Sequence, residues 1–326
     1  MTSRGIGEPE TLSSVGKETE LARRHIGFLL FLVGSALVFY VPLRKLISFS
    51  LTYDYGSYIV FIIPISSYLI YQKRHEIFSR VHVDFSAGSV LFLAGIILWW
   101  FAARYLPPSP PNISFSLVVL AIVIIWLAGF IFCYGAGAFA IGSFPLLFLL
   151  LLVPIPDVLI EKIIFLLQAG SAAVAYWLLR LLAVPVFKQG FILRLPTLNI
   201  EVAKECSGIR SSLGLLITIL LVGEFTLRSG WRRLLLTLST VPVLILKNGA
   251  RIVAICLLSI YVDRGFLHGW LHTSGGVVFY LLGLAMLVPI LAALRKSEEK
   301  EGKKRSGAAA AFSGAGSADV ATTRQK

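Results

Sequence analysis

The sequence predicts an all-α polytopic membrane protein with about eight transmembrane helices and a short extracytoplasmic hairpin, and three observations carry that prediction. Of 326 residues, 57% are hydrophobic and only 14% are charged, a balance that a soluble domain of this size does not need and a polytopic membrane protein does. Apolar segments recur at roughly 26–43, 56–71, 87–106, 115–132, 138–153, 158–184, 207–223, 234–260 and 276–294, most of them near the ~20 residues that cross a hydrocarbon core of about 30 Å as helix. Basic residues gather beside those segments, at Arg23-Arg24, Lys73-Arg74, Arg228 with Arg232-Arg233, and Lys303-Lys304-Arg305, as cytoplasmic anchors do under the positive-inside rule. The net charge of +13 is therefore read as membrane anchoring, and nucleic acid is excluded as a partner.

Residues 1–24 are polar and rich in Gly, Ser and Glu, and are expected to form a disordered cytoplasmic tail. Arg23-Arg24 followed by "IGFLLFLVGSALVFYV" resembles a signal anchor and is taken as the first span of a transmembrane domain over 25–295. From 296 to 326 the chain turns charged and then low in complexity ("SGAAAAFSGAGSADVA"), and a second disordered cytoplasmic tail is expected there. The basic clusters place both ends and the loops at 72–80 and 228–233 on the cytoplasmic side, which nine crossings forbid. One segment between 80 and 228 must fail to span. The candidates are 138–153, which is short, and 158–184, which carries Asp157 at its edge and Glu161, Lys162, Gln168 and Arg180 within it; "VPIPD" at 153–157 is the expected hinge. The stretch "VPVFKQGFILRLPTLNIEVAKEC" alternates apolar and polar residues between Gly and Pro, which predicts a short hairpin outside the membrane.

This topology puts three reactive side chains at one level. Counting back from a cytoplasmic C-terminus, the 276–294 segment begins outside, next to His272. Arg251 lies about 17 residues into the segment that starts at 234, or roughly 26 Å along a helix. The 207–223 segment runs inward, so Cys206 stands at its outer end.

The chemistry available there is considerable. "CSG" at the head of an apolar helix sets the Cys206 sulfur, with Ser207 and Gly208, near unpaired N–H groups and the positive end of the helix dipole, which favours the thiolate. Arg210 at i+4 can add to this, whereas Glu205 opposes it if turned toward the sulfur. By itself the position also suits a small packing residue, as the apolar surroundings of Cys133 and Cys256 do. Arg251, with Lys247 one turn earlier and Asn248 beside it, is expensive inside an apolar run. It reads as a fixed cationic site for an anion, oxyanion or thiolate, or as a side chain snorkelling to headgroups. His272 suits a general acid or base, or an interfacial hydrogen bond. His268 pairs with it at i−4, but no carboxylate or cysteine set completes a metal site; no metal or cofactor is expected.

"VAKECSGIRSS", "NGARIV" and "HTSGG" resemble, in order and spacing, the Cys, Arg and His blocks of the exosortase and archaeosortase family of membrane-embedded transpeptidases. "YDYGSYIVFIIPISSYLIYQKR" at 53–74, "FPLLFLLLLVPIPDVLIEKI" and "LLAVPVFKQGFILRLPTLNIEVA" are similar to other stretches of that family, so the resemblance covers most of 26–294. It implies a catalytic set of Cys206, Arg251 and His272, beside which the reading of the residues offers Arg210, Asn248, Ser207, Gly208 and Lys247 as support. It further implies exported substrates with a PEP-CTERM-type tail: a short motif, one transmembrane helix and a basic cluster. A separate accessory protein of an exopolysaccharide system and membrane lipids are the other implied partners. The family's early Ser-His-Gly-like element is "DYGSYIV" here, so no histidine role is carried over to that loop. Two further readings stand beside this one: a transporter or lipid-linked sugar enzyme holding phosphate on Lys247 and Arg251, and a non-catalytic envelope or exopolysaccharide assembly factor.

Overall fold

In a hydrocarbon core every backbone polar group must be satisfied within its own segment, so long apolar runs coil into helix. The computed structural model describes residues 10–82, 84–106, 113–196, 199–202, 208–263 and 276–322. Among the described residues, seven helical stretches are long and apolar enough to cross a membrane: Thr19–Val38, Phe85–Tyr105, Ile113–Ile141, Asp157–Leu181, Ile209–Thr226, Gly230–Tyr261 and Gly276–Arg305. The all-α polytopic class is as expected, and the count is close to the eight predicted.

The chain divides into two units, Met1–Ile160 and Glu161–Lys326. In the first, α1 (Glu10–Val38) begins well before residue 25 and ends at Phe39, which leaves helical geometry before α2 (Tyr40–Thr52) starts. The expected 26–43 segment is thus two helices. A 3-10 turn leads to α3 (Ile59–Gln72), whose 14 residues are shorter than a full span. The one-turn α4 (Arg74–Ile77) follows. Helix α5 (Phe85–Tyr105) is capped by Asp84, whose Oδ1 accepts from the Ala87 N–H at 3.2 Å and from the Ser86 hydroxyl at 2.8 Å, satisfying donors that a helix start leaves open. It packs against α6 (Ile113–Ile141), the most buried of the spans. Helix α6 kinks at Gly135, where the His82 backbone crowds in. Beside the kink, the Arg24 guanidinium donates to the Cys133 carbonyl at 2.9 Å and His25 Nδ1 lies 2.7 Å from the Tyr134 hydroxyl. Between the two candidates for the segment that fails to span, the short one is 138–153. It breaks into the end of α6, then α7 (Ser143–Phe148) and a 3-10 turn at Leu149–Leu152, whereas α8 (Asp157–Leu181) is a 25-residue helix.

The second unit holds most of α8 together with β1 (Phe187–Gln189), β2 (Ile192–Arg194), β3 (Asn199–Glu201), α9 (Ile209–Thr226), α10 (Gly230–Tyr261) and α11 (Gly276–Thr322). The predicted hairpin is a three-stranded antiparallel meander in the order β1-β2-β3, with Lys188 opposite Leu193 and Leu193 opposite Ile200. Its inner residue Leu193 joins Leu179 of α8 and Ile252 and Cys256 of α10 in a packed cluster, so the sheet is welded to the helices. A second cluster joins Leu167 of α8, Leu215 of α9, Leu236 and Leu244 of α10, and Leu287 of α11. Between helices in lipid such contacts stabilise through close packing rather than through release of water.

Helix α11 runs past Lys296, where a disordered tail was expected. Glu298 on that extension accepts from the N–H groups of Arg228 and Ser229 at 3.1 and 2.7 Å, the orphan donors at the start of α10. Arg232 lies 3.6 Å from Glu298 and 2.7 Å from Glu301, and Arg233 pairs with Glu224 of α9. The basic loop at 228–233 is therefore locked to the helices on either side.

Candidate functional site

Residues 203–207, which include Cys206 and Ser207, lie outside the described residues, as does 264–275 with His268 and His272. The chain on both sides of 203–207 is described, and each side is held by a buried polar side chain.

On the upstream side, β3 ends at Glu201 and Val202 follows. The Val202 N–H donates to the Phe191 carbonyl at 2.9 Å. Its own carbonyl accepts a hydrogen bond from the Gln168 side-chain amide on α8. Gln168 is 7% exposed, so its amide turns inward; in the sequence it had counted as a reason for that segment to leave the membrane.

On the downstream side, Gly208 sits at φ 67°, ψ 25°, in left-handed geometry, and leads into α9. Its carbonyl accepts from the Ser212 N–H at 2.8 Å and the Ser211 hydroxyl at 3.0 Å. Opposite lies α10. A Cβ on Gly208 would stand 3.2 Å from Asn248 Oδ1, so the turn and the Asn248 side chain are nearly in contact. The Asn248 amide donates in turn to Ser171 of α8 at 3.0 Å. Lys247, 1% exposed, donates from Nζ to Ser211 Oγ at 2.6 Å. Its aliphatic stem passes between helices at Gly283 of α11, where a Cβ would come 3.2 Å from Lys247 Cδ. Close approach of α8 and α10 at Gly249, whose Cβ would collide with Val174, brings these groups into reach.

Of the residues expected to support the site, Gly208, Lys247 and Asn248 are thus brought together. Arg251, one turn beyond Lys247 on α10, is partly buried. Arg210 is exposed. Sequence reading did not single out Ser211 or Ser171, and it named Gln168 only as a polar residue within 158–184. Ser211 lies one turn into an apolar helix and five residues after Cys206, the one signal that pointed to it. Among the described residues no group of three or more His, Cys, Asp and Glu side chains is arranged to hold a metal.

The arrangement is a buried polar seam, made by α8, α9 and α10, that grips both shoulders of a five-residue stretch. On α10 the Arg251 guanidinium follows Lys247 by one helical turn. Among known families, residues 50–289 match the one described as Transmembrane exosortase (Exosortase_EpsH). Curated proteins and solved structures give no match.

Proposed function

The chain belongs to the transmembrane exosortase family and is a multi-pass membrane protein; from that premise we propose that it is a cysteine protease or transpeptidase that removes the C-terminal sorting signal of exported PEP-CTERM-type proteins. The reaction runs at the outer face of the cytoplasmic membrane. The Cys206 thiolate attacks the scissile carbonyl and its sulfur becomes bonded to the carbon, while the guanidinium of Arg251 stabilises the negative oxygen that forms. As the C–N bond breaks, His272 gives its proton to the leaving amine, and a thioester remains on Cys206. His272 then takes a proton from the acyl acceptor as it displaces the sulfur.

The observation that carries this reading is the gripping of Val202 and Gly208 on either side of Cys206, with Arg251 a turn beyond on α10. A nucleophile needs a fixed position relative to its oxyanion partner, and misplacement by about 1 Å costs about 100-fold in rate. The outward location is supported by the basic clusters at 228–233 and 303–305, since Arg232 near the start of α10 pairs with Glu301 and Arg251 lies further along the same helix. A substrate whose basic cluster stays inside and whose helix spans the bilayer presents its motif at that level. Recruitment by a separate exopolysaccharide-system protein fits the same picture. The alternative of an open phosphate site on Lys247 and Arg251 is weakened by the burial of Lys247 and its bond to Ser211.

The test follows one tagged, co-expressed substrate bearing a motif, a helix and arginines, with wild type and Cys206→Ala at matched membrane levels. The expected outcome is a shortened substrate with wild type and a full-length one with Cys206→Ala. Equal processing by both removes Cys206 as the nucleophile.

A further inference from the structure

Lys247 is costly where it stands. An ammonium almost wholly buried in a membrane-crossing helix is rare unless it serves a site, and a methionine or leucine would pack there at no such cost. Its hydrogen-bond partner among the described residues is the Ser211 hydroxyl at 2.6 Å. That hydroxyl passes the interaction on, because it donates to the Gly208 carbonyl at 3.0 Å. A hydroxyl has one proton to give and two lone pairs with which to accept, so the order Lys247 to Ser211 to Gly208 uses each group once in its proper sense. A charged donor at the head of such a chain strengthens the bond below it. The result is a tie from α10 to the carbonyl two residues after Cys206.

The upstream shoulder is tied in the same manner from another helix, by the Gln168 amide to the Val202 carbonyl. Val202 and Gly208 bracket 203–207. Two buried polar side chains from two different helices thus act on the edges of one short stretch, Gln168 directly on the Val202 carbonyl and Lys247 through the Ser211 hydroxyl that bonds the Gly208 carbonyl.

From this geometry we infer that Lys247, acting through Ser211, and Gln168 are positioning residues that hold the backbone at Gly208 and Val202, the described residues on either side of Cys206; the inference rests on the transpeptidase reading for its meaning in catalysis, but the two ties are independent of it. Lys247 contributes by holding the turn, and its own ammonium is spent on Ser211 rather than on substrate. A change that keeps the hydroxyl at 211 should keep the tie, and a change that removes the ammonium or the hydroxyl should release it.

The experiment uses full-length protein with Cys133 and Cys256 replaced by Ala, which leaves Cys206 as the single thiol of the three in the chain. Two readouts are taken for Lys247→Met, Ser211→Ala, Ser211→Thr and Gln168→Met: the rate of Cys206 alkylation by a soluble maleimide across pH 6–9, and kcat and KM for processing of the tagged substrate. In Lys247→Met and Ser211→Ala, alkylation at neutral pH should slow by about tenfold, as a thiol loses its thiolate-favouring setting. In the same variants kcat should fall by about 10- to 100-fold with KM nearly unchanged. Gln168→Met should behave likewise, and Ser211→Thr should stay close to the parent. Wild-type alkylation profiles in Lys247→Met and Ser211→Ala overturn the inference. So does a loss that tracks falling melting temperature and is not rescued in Ser211→Thr. Altered alkylation together with processing that survives Cys206→Ala leaves the tie standing and removes the transpeptidase reading instead.

Discussion

Gly208→Ala isolates the turn after Cys206 better than any change in a large side chain. At φ 67°, ψ 25°, an L-residue with a Cβ costs about 1–2 kcal/mol relative to glycine. The new methyl would also meet Asn248 Oδ1 at 3.2 Å, so that side chain must yield by a few tenths of an ångström, while Ser211 Oγ at 3.4 Å is in ordinary contact. Gly190, in the turn between β1 and β2, supplies the control. Its φ is +60°, and a Cβ there meets nothing within 4 Å. The backbone penalty is therefore shared and the collision is not. Both variants should melt at lower temperature in detergent by a similar margin. Processing should fall only in Gly208→Ala, by about tenfold, since 1.36 kcal/mol of misplacement strain corresponds to one decade in rate. The assay is cleavage of the tagged substrate at equal amounts of folded protein. Equal activity in the two variants, or a larger loss in Gly190→Ala, would refute the reasoning that the turn, rather than general stability, governs the reaction.

Arg251→Lys keeps the charge and loses the planar fork of donors; processing should drop by at least about 100-fold while membrane abundance stays at the wild-type level, and a variant within a few-fold of wild type would remove Arg251 as oxyanion partner. Asp84, outside the spans, has its carboxyl held below the usual carboxylate range by the Ala87 N–H and then by the Ser86 hydroxyl. A depressed folded-state value adds stability that is present above the unfolded value and lost as pH falls through the folded one. Melting curves should therefore lose stability on going from pH 6 to below about pH 4, and Asp84→Asn, which caps without titrating, should show a smaller drop between the same two conditions.

The apolar segments and the pairing of Lys247 with Arg251 on one helix were legible because the bilayer imposes a length and a penalty that any sequence must display. The failing segment was narrowed to two and no further. Polar residues such as Gln168 argue equally for leaving the membrane and for bonding a buried carbonyl, and only the fold brings Val202 to meet it. Ser211 was overlooked for a related reason: a serine in the first turn of a helix ordinarily bonds its own backbone. It does so here, to Gly208, while also accepting from Lys247. The alternating runs "FILRL" and "LNIEV" were read as a hairpin and are β2 and β3, whereas the three residues of β1, "FKQ", are too few to show an alternation of their own. Arg210, expected beside Cys206 from i+4 spacing, is exposed on α9; Cys206 lies outside the described residues. The helices at both ends outrun the apolar text, since charged residues propagate a helix as readily as apolar ones do.

Helix α10 is held at two heights. Near its start, Arg232 and the first N–H groups are bound to the carboxylates of α11; further along, Lys247 is bound to α9. A helix pinned in this way can neither bob nor tilt to suit its surroundings. Arg232 and Arg251 are then cations at a set separation of about 28 Å along the axis, close to the thickness of a hydrocarbon core. Where most single helices answer a thicker or thinner bilayer by changing their tilt, here the lipid must do the adjusting. The protein carries its own gauge of membrane thickness.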